Sequence, residues 1–275
     1  MRFLRRLDEG KFAVALEITP PQKPLPGILL RRAGLLGEAA QAVNVIQRPG
    51  RQSSLDASVL LRAQGVEPCW HLVTRGRARA EIAADLEAAR AADIDQVLCI
   101  LGDHPAADIR DAPSIREVVA MTREALPGAC IGATLNQYGK DPEAVIRNLL
   151  PKLRAGASYV QTQPAFEATA IEQFALAVDR ELPQTRVIAM AMPLLSIEEG
   201  ERLEQRLNIR LPDALREVLA SGDEELAWSA FAASLESLVA APYIDGVAIM
   251  TFEMDATPDT GERIVAALRN AGAVG

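Results

Sequence analysis

Short apolar runs alternate along the chain with longer stretches of helical period, and this alternation recurs eight times. The runs are Ala13–Ile18, Ala42–Ile46, Pro68–Val73, Gln96–Leu101, Ala129–Thr134, Tyr159–Gln163, Arg186–Met192 and Gly246–Met250. Helical spacing lies between them at Ile28–Ala40, Ala80–Ala92, Pro113–Ala125, Pro142–Ala155 and Ala168–Glu181, among others. Asp141 before Pro142, with Glu143 in the first turn, is a local start signal of the N-cap kind. Extra helical material precedes the eighth run, at Ser196–Leu207, Asp213–Ser221 and Glu224–Ala240, and Thr260–Ala271 closes the pattern. Strands alternating with helices imply parallel crossovers, and near-continuous apolar strands imply a sheet covered on its outer face. Eight such units predict a (β/α)8 TIM barrel, an α/β fold, as a single domain over residues 1–275. The competing open, doubly wound sheet lacks support because no Gly-x-Gly-x-x-Gly follows the first run.

Composition narrows the class. The 275 residues are 49% hydrophobic and 24% charged, which excludes wholesale disorder. A formal charge of −8 argues against a nucleic-acid surface. No stretch approaches the ~20 apolar residues of a membrane span, and the Arg-rich start lacks the apolar core of a secretory leader. The expected location is cytoplasmic. Cys69, Cys99 and Cys130 all fall in predicted strands, so they read as small buried side chains. The two histidines, His71 and His104, lack metal-ligand spacing, and no metal site is expected.

A barrel of this kind builds its site from the carboxyl ends of its strands. Those positions carry Glu17; Gln47 and Arg48; His71, Thr74 and Arg75; Gly102, Asp103 and His104; Thr134, Asn136, Gln137 and Tyr138; Gln161 and Gln163; and Thr251 and Glu253. Glu17 ends the first apolar run and is followed by Thr19-Pro20-Pro21. A carboxylate there faces either a ligand or water, since burying it unpartnered is expensive. Gln161 and Gln163 share parity in a run otherwise destined for burial, and buried amides need partners.

The ordered set of these segments resembles the methylenetetrahydrofolate reductase family. The matching pieces are Leu16-Glu17-Ile18-Thr19-Pro20-Pro21, His71-Leu72-Val73-Thr74-Arg75 and Leu101-Gly102-Asp103. They continue with Lys152-Leu153-Arg154-Ala155-Gly156-Ala157 leading to Gln161-Thr162-Gln163, then Met190-Ala191-Met192-Pro193. The resemblance implies an oxidoreductase that reduces 5,10-methylenetetrahydrofolate to 5-methyltetrahydrofolate with NAD(P)H, through FAD. It makes Glu17 the general acid, partly desolvated, and Asp103 a second catalytic group that also touches pterin and flavin. Gln163, Gln161 and Thr251 would bind substrate. His71, Thr74, Leu101, Gly102, Thr134, Asn136 and Lys140 would line the cofactor site.

The chain also departs from the family pattern. Leu101 stands where an Arg usually precedes the Gly-Asp pair, since the stretch reads Ile100-Leu101-Gly102-Asp103, and the fifth strand leads into Leu135-Asn136-Gln137-Tyr138-Gly139. A flavin-independent reductase using the nicotinamide directly is therefore one alternative. A non-reducing folate-binding or methyl-transfer protein of one-carbon metabolism is another. The expected partner is a small-molecule folate, with neither nucleic acid nor membrane, and the outer helices could pair into a homo-oligomer.

Overall fold

In the computed structural model, which describes residues 2–102, 109 and 111–275, the eight apolar runs are the staves of one closed barrel. They are β1 (Ala13–Ile18), β2 (Ala42–Val45), β3 (Pro68–Val73), β4 (Gln96–Ile100), β5 (Cys130–Thr134), β6 (Tyr159–Pro164), β7 (Arg186–Ala191) and β8 (Gly246–Met250). Every neighbouring pair is parallel, and β1 closes the ring by pairing with both β2 and β8. The crossover helices are α2 (Pro26–Ala33), α3 (Ser54–Ala63), α4 (Arg79–Ala91), α5 (Ile115–Ala125), α6 (Pro142–Arg154) and α7 (Thr169–Glu181), with α11 (Pro258–Asn270) after β8. Between β7 and β8 the chain inserts α8 (Ile197–Leu207), α9 (Asp213–Ala220) and α10 (Glu224–Ala240).

One expectation is corrected here. The stretch Ile28–Ala40 is not one helix: α2 stops at Ala33 with Gly34 as its cap, and a separate 3-10 turn spans Gly37–Ala39. Gly37 takes φ +51°, a left-handed conformation that breaks helical propagation. The Arg-rich start forms α1 (Arg2–Asp8), whose Phe3 and Leu7 are buried. They join Ala13, Ala15, Ala42, Cys69, Leu98, Cys130, Tyr159, Ile188 and Ala248 in the apolar filling inside the barrel. The larger cluster lies outside the staves, between sheet and helices, which is the two-sided burial that the apolar strands require.

The interior filling depends on one large ring against small neighbours. Tyr159 is 1% exposed, with Phe3 edge-on to its ring and its hydroxyl 3.3 Å from Cys69 Sγ. Its space exists because β5 carries Gly132: a Cβ there would sit 2.2 Å from the Tyr159 ring. All three cysteines are free and buried, and burial pushes the Cys99 and Cys130 thiols up to about 12. Gly132→Ala should therefore destabilise the protein by about 1–3 kcal/mol, as overpacked cores do. Urea unfolding checks this, and restoration by a second change of Tyr159→Leu would locate the clash.

Candidate active site

At the carboxyl end of the barrel the interior becomes polar, and three inward positions on separate strands meet. Register places Glu17 of β1 beside Asn44 of β2 on one side and Met250 of β8 on the other. Asn44 Nδ2 donates to Glu17 Oε1 at 3.0 Å and to Gln161 Oε1 at 2.9 Å. Gln161 Nε2, from the opposite side of the barrel, donates to the same Glu17 Oε1 at 2.5 Å. The three residues are at most 5% exposed. A carboxylate so removed from water persists because two amide N–H groups replace its lost hydration. Both fall on Oε1. Oε2 has no hydrogen-bond partner among the described residues.

His71 of β3 completes this ring. Its Nε2 lies 3.9 Å from Glu17 Oε1, too far for a hydrogen bond, and is otherwise unpartnered. Burial lowers the His71 pKa from the ordinary 6.5, against the opposing pull of Glu17. Asn44 Oδ1 and Thr74 Oγ1 are also buried without partners among the described residues. Orphaned polar atoms at the mouth of a barrel are available to a polar ligand.

Above Glu17 opens a narrow cleft walled by Arg48, Thr251, Phe252 and Glu253. Arg32 on α2 fixes one side: its guanidinium donates to both carboxylate oxygens of Asp255 at 3.0 and 2.7 Å and to the Thr19 carbonyl at 2.6 Å. Arg32 and Arg31 hold the Asp255 carboxyl down to about 2. This clamp ties the loop after β8 to the Thr19-Pro20-Pro21 segment just beyond Glu17. Thr251 is turned inward on its own loop, its hydroxyl donating to the Glu253 carbonyl at 2.7 Å.

The other sequence-predicted residues divide between places. Gln163 does not join the Glu17 cluster. The β6–β7 register shifts between Gln161 and Pro164, so simple alternation ends there. Gln137 grips the Gln163 backbone, accepting from its N–H at 3.0 Å and donating to its carbonyl at 2.9 Å. Leu101, Thr134 and Asn136 instead line a second, wider cleft of about 490 Å³ beside β4 and β5. Arg116, Asn148 and Lys152 share it. Lys152 Nζ donates to the Thr134 carbonyl at 2.7 Å and has no ion pair among the described residues; burial lowers its pKa to about 8. Gly102 adopts φ +96°, and a Cβ there would meet Val73 Cγ1 at 2.7 Å. Lys140 is exposed. Asp103 and His104 lie outside the described residues.

Asn44, Asn148 and Lys152 were not singled out as site residues by the sequence. Asn44 had one available signal: a carboxamide within the apolar run Ala42–Ile46, the same anomaly that exposed Gln161.

Because His71 is kept below 6.5, the folded protein binds fewer protons than the unfolded chain as pH drops through that value. The neutral imidazole's contribution to stability is complete above it and is lost as pH falls. Denaturant unfolding between about pH 7.5 and about pH 5.5 should thus show a steeper loss for the wild type than for His71→Gln. Parallel curves would remove His71 from this role.

The chain matches the family described as methylenetetrahydrofolate reductase over residues 2–256. A curated relative from Caenorhabditis elegans, described as a probable methylenetetrahydrofolate reductase (NADPH), is 26% identical over 231 residues. That match covers 77% of this chain but 35% of the relative, so the chain spans about a third of its length. Among solved structures, an uncharacterized protein from Clostridium thermocellum that binds two copies of 5-methyl-5,6,7,8-tetrahydrofolic acid superposes with a TM-score of 0.69. It is 11% identical, over 98% of this chain and 99% of that one. An oxaloacetate acetylhydrolase bound to 3,3-difluorooxalacetate superposes with a TM-score of 0.53 at 13% identity, over 99% of this chain and 87% of that one. These two likenesses concern the barrel alone. On the family match over nearly its whole length, the chain belongs to the methylenetetrahydrofolate reductase family.

Proposed function

We propose that the protein reduces 5,10-methylenetetrahydrofolate to 5-methyltetrahydrofolate, taking hydride from NAD(P)H, with Glu17 as the general acid. The observation that carries this reading is the asymmetric environment of the Glu17 carboxyl. Oε1 is held by Asn44 and Gln161, while Oε2 is left without a partner under an open cleft. In the acid form, Oε1 would accept both amide N–H groups as a carbonyl oxygen does, and Oε2 would carry the proton.

That division suits the chemistry. Opening the five-membered ring of the substrate requires a proton on N10 as its bond to the methylene carbon breaks. The bonding pair leaves with nitrogen, and the methylene carbon becomes an iminium on N5. Hydride addition there produces the methyl group, so one hydride and one proton enter in total. Glu17 would supply the proton, positioned by two carboxamides that have no proton to lose at neutral pH. The unpartnered Asn44 Oδ1 and Thr74 Oγ1 would receive hydrogen-bonding groups from a pterin or its neighbour. Asp103, Gln163 and Thr251 remain proposed contacts to the substrate.

The second cleft fits the polar part of a dinucleotide such as FAD. Its lining supplies amide donors from Asn136 and Asn148 and a desolvated ammonium, Lys152, that has no ion pair among the described residues. A phosphate beside Lys152 would offset the cost of burying that charge. Leu101 and Thr134 would pack at its edge, with His71, Gly102 and Lys140 as further proposed contacts. When bound, a flavin relays hydride between the nicotinamide and the substrate.

Two measurements test the reading. Purified protein supplied with FAD should show flavin absorbance, and Lys152→Met should weaken its retention. Failure of the wild type to take up FAD, with NAD(P)H-dependent turnover intact, would favour direct hydride transfer from the nicotinamide. Glu17→Gln should preserve tetrahydrofolate binding and lower turnover about a hundredfold or more. Binding of 5-methyltetrahydrofolate by a wild type with no reductase turnover would favour a non-reducing folate protein.

A further inference from the structure

The loop after β8 forms one wall of the cleft over Glu17, yet little holds it there. Among the described residues, no main-chain hydrogen bond joins residues 252–256 to another segment. Phe252 packs against the apolar cluster of Met192, Leu203 and Met250. The hydrogen bonds that reach the loop from elsewhere all end on the Asp255 carboxylate. Arg31, which is exposed, supplies one of them at 2.8 Å. Arg32 supplies the other two and is the only one of the pair that also reaches the end of β1.

Arg32 lies in the last turn of α2, where a cation suits the converging carbonyl dipoles. Its side chain is 7% exposed, and all three guanidinium nitrogens are used. Nε and Nη2 grip the two oxygens of Asp255, and Nη1 donates to the Thr19 carbonyl, two residues beyond Glu17. A planar fork of donors fixes where its partners stand relative to one another. Burying a guanidinium against a carboxylate that is itself 54% exposed is weak support for stability, so what the clamp secures is spacing. That spacing is tight. Free space in the cleft is about 30 Å³, room for a water or two. A pterin is larger, so the wall must yield as such a ligand enters.

We propose that Arg32 is a positioning residue: through Asp255 and Thr19 it holds the loop after β8 over Glu17 and draws it back once substrate has displaced it. This rests on the functional reading above, with the pterin over Glu17 and Thr251 in contact with it. Arg32 itself touches neither the substrate nor the transferred proton. Its effect is to seat Thr251 and Phe252 against a ligand already aligned with the acid and to keep water from the reacting atoms. Displacing the loop opposes binding, whereas its return favours the transition state. Loosening the clamp therefore separates turnover from affinity.

The test compares the wild type with Asp255→Ala, Arg32→Lys and a remote control, Arg154→Gln, whose arginine pairs with Glu181 on the outer surface. Steady-state turnover of 5,10-methylenetetrahydrofolate, calorimetric binding of 5-methyltetrahydrofolate and urea unfolding are measured on each. Asp255 is exposed, so Asp255→Ala leaves the core intact. It should lower kcat about tenfold or more, while ligand affinity stays within about twofold or improves. Arg32→Lys keeps the charge but not the fork, and should lose kcat in the same way. Arg154→Gln should match the wild type. An unchanged kcat in Asp255→Ala overturns the positioning role, and so does a loss of affinity in proportion to kcat. Full turnover in Arg32→Lys also overturns it, because charge alone would then suffice. If Arg32→Lys fails to fold, Asp255→Ala decides. A wild type that turns over while these variants fail to separate kcat from affinity loses only the positioning role. A wild type without reductase turnover overturns the functional reading together with it.

Discussion

The burial of the Glu17 carboxyl is the constraint around which the carboxyl end of the barrel is built. Its side chain is almost wholly withdrawn from water, yet among the described residues no cation pairs with it closely. Two carboxamides do that work, reaching Oε1 from β2 and from β6. Amides satisfy a buried oxygen without adding a second charge to be desolvated.

The barrel makes this arrangement affordable by separating its interior into layers. Below the polar ring, Tyr159 fills space left by Gly132 and by alanines on β1, β2 and β8, and α1 closes the far end with Phe3 and Leu7. Water has little room below, so the polar groups of the upper ring open only toward the cleft. The loop after β8 is held by Arg32 through Asp255, and that bond also reaches the Thr19 carbonyl just beyond Glu17. One guanidinium thus couples the floor of the cleft to its wall.

The inserted helices α8, α9 and α10 change the surroundings rather than the fold. Their leucines cover the apolar rim that strands β7 and β8 would otherwise expose. A second cleft near β4 and β5 collects Asn136, Asn148 and Lys152. The two clefts belong to the same face of the barrel, as expected where strand ends build the site.

The sequence by itself determined the eight strands nearly to the residue, because parallel staves covered on both faces must be apolar over their length. It also exposed Glu17 and Gln161, since polar groups in such runs violate that requirement. Local period could not resolve Ile28–Ala40, where Gly34 and Gly37 end one helix and start a separate turn. Nor could alternation carry from Gln161 to Gln163 across a shift in register. Asn44 gained its meaning only from ring closure, which sets β1 against β2 and brings β6 across the interior. Contacts between residues 27 and 144 positions apart arise from tertiary pairing, and no periodicity within a single segment encodes them.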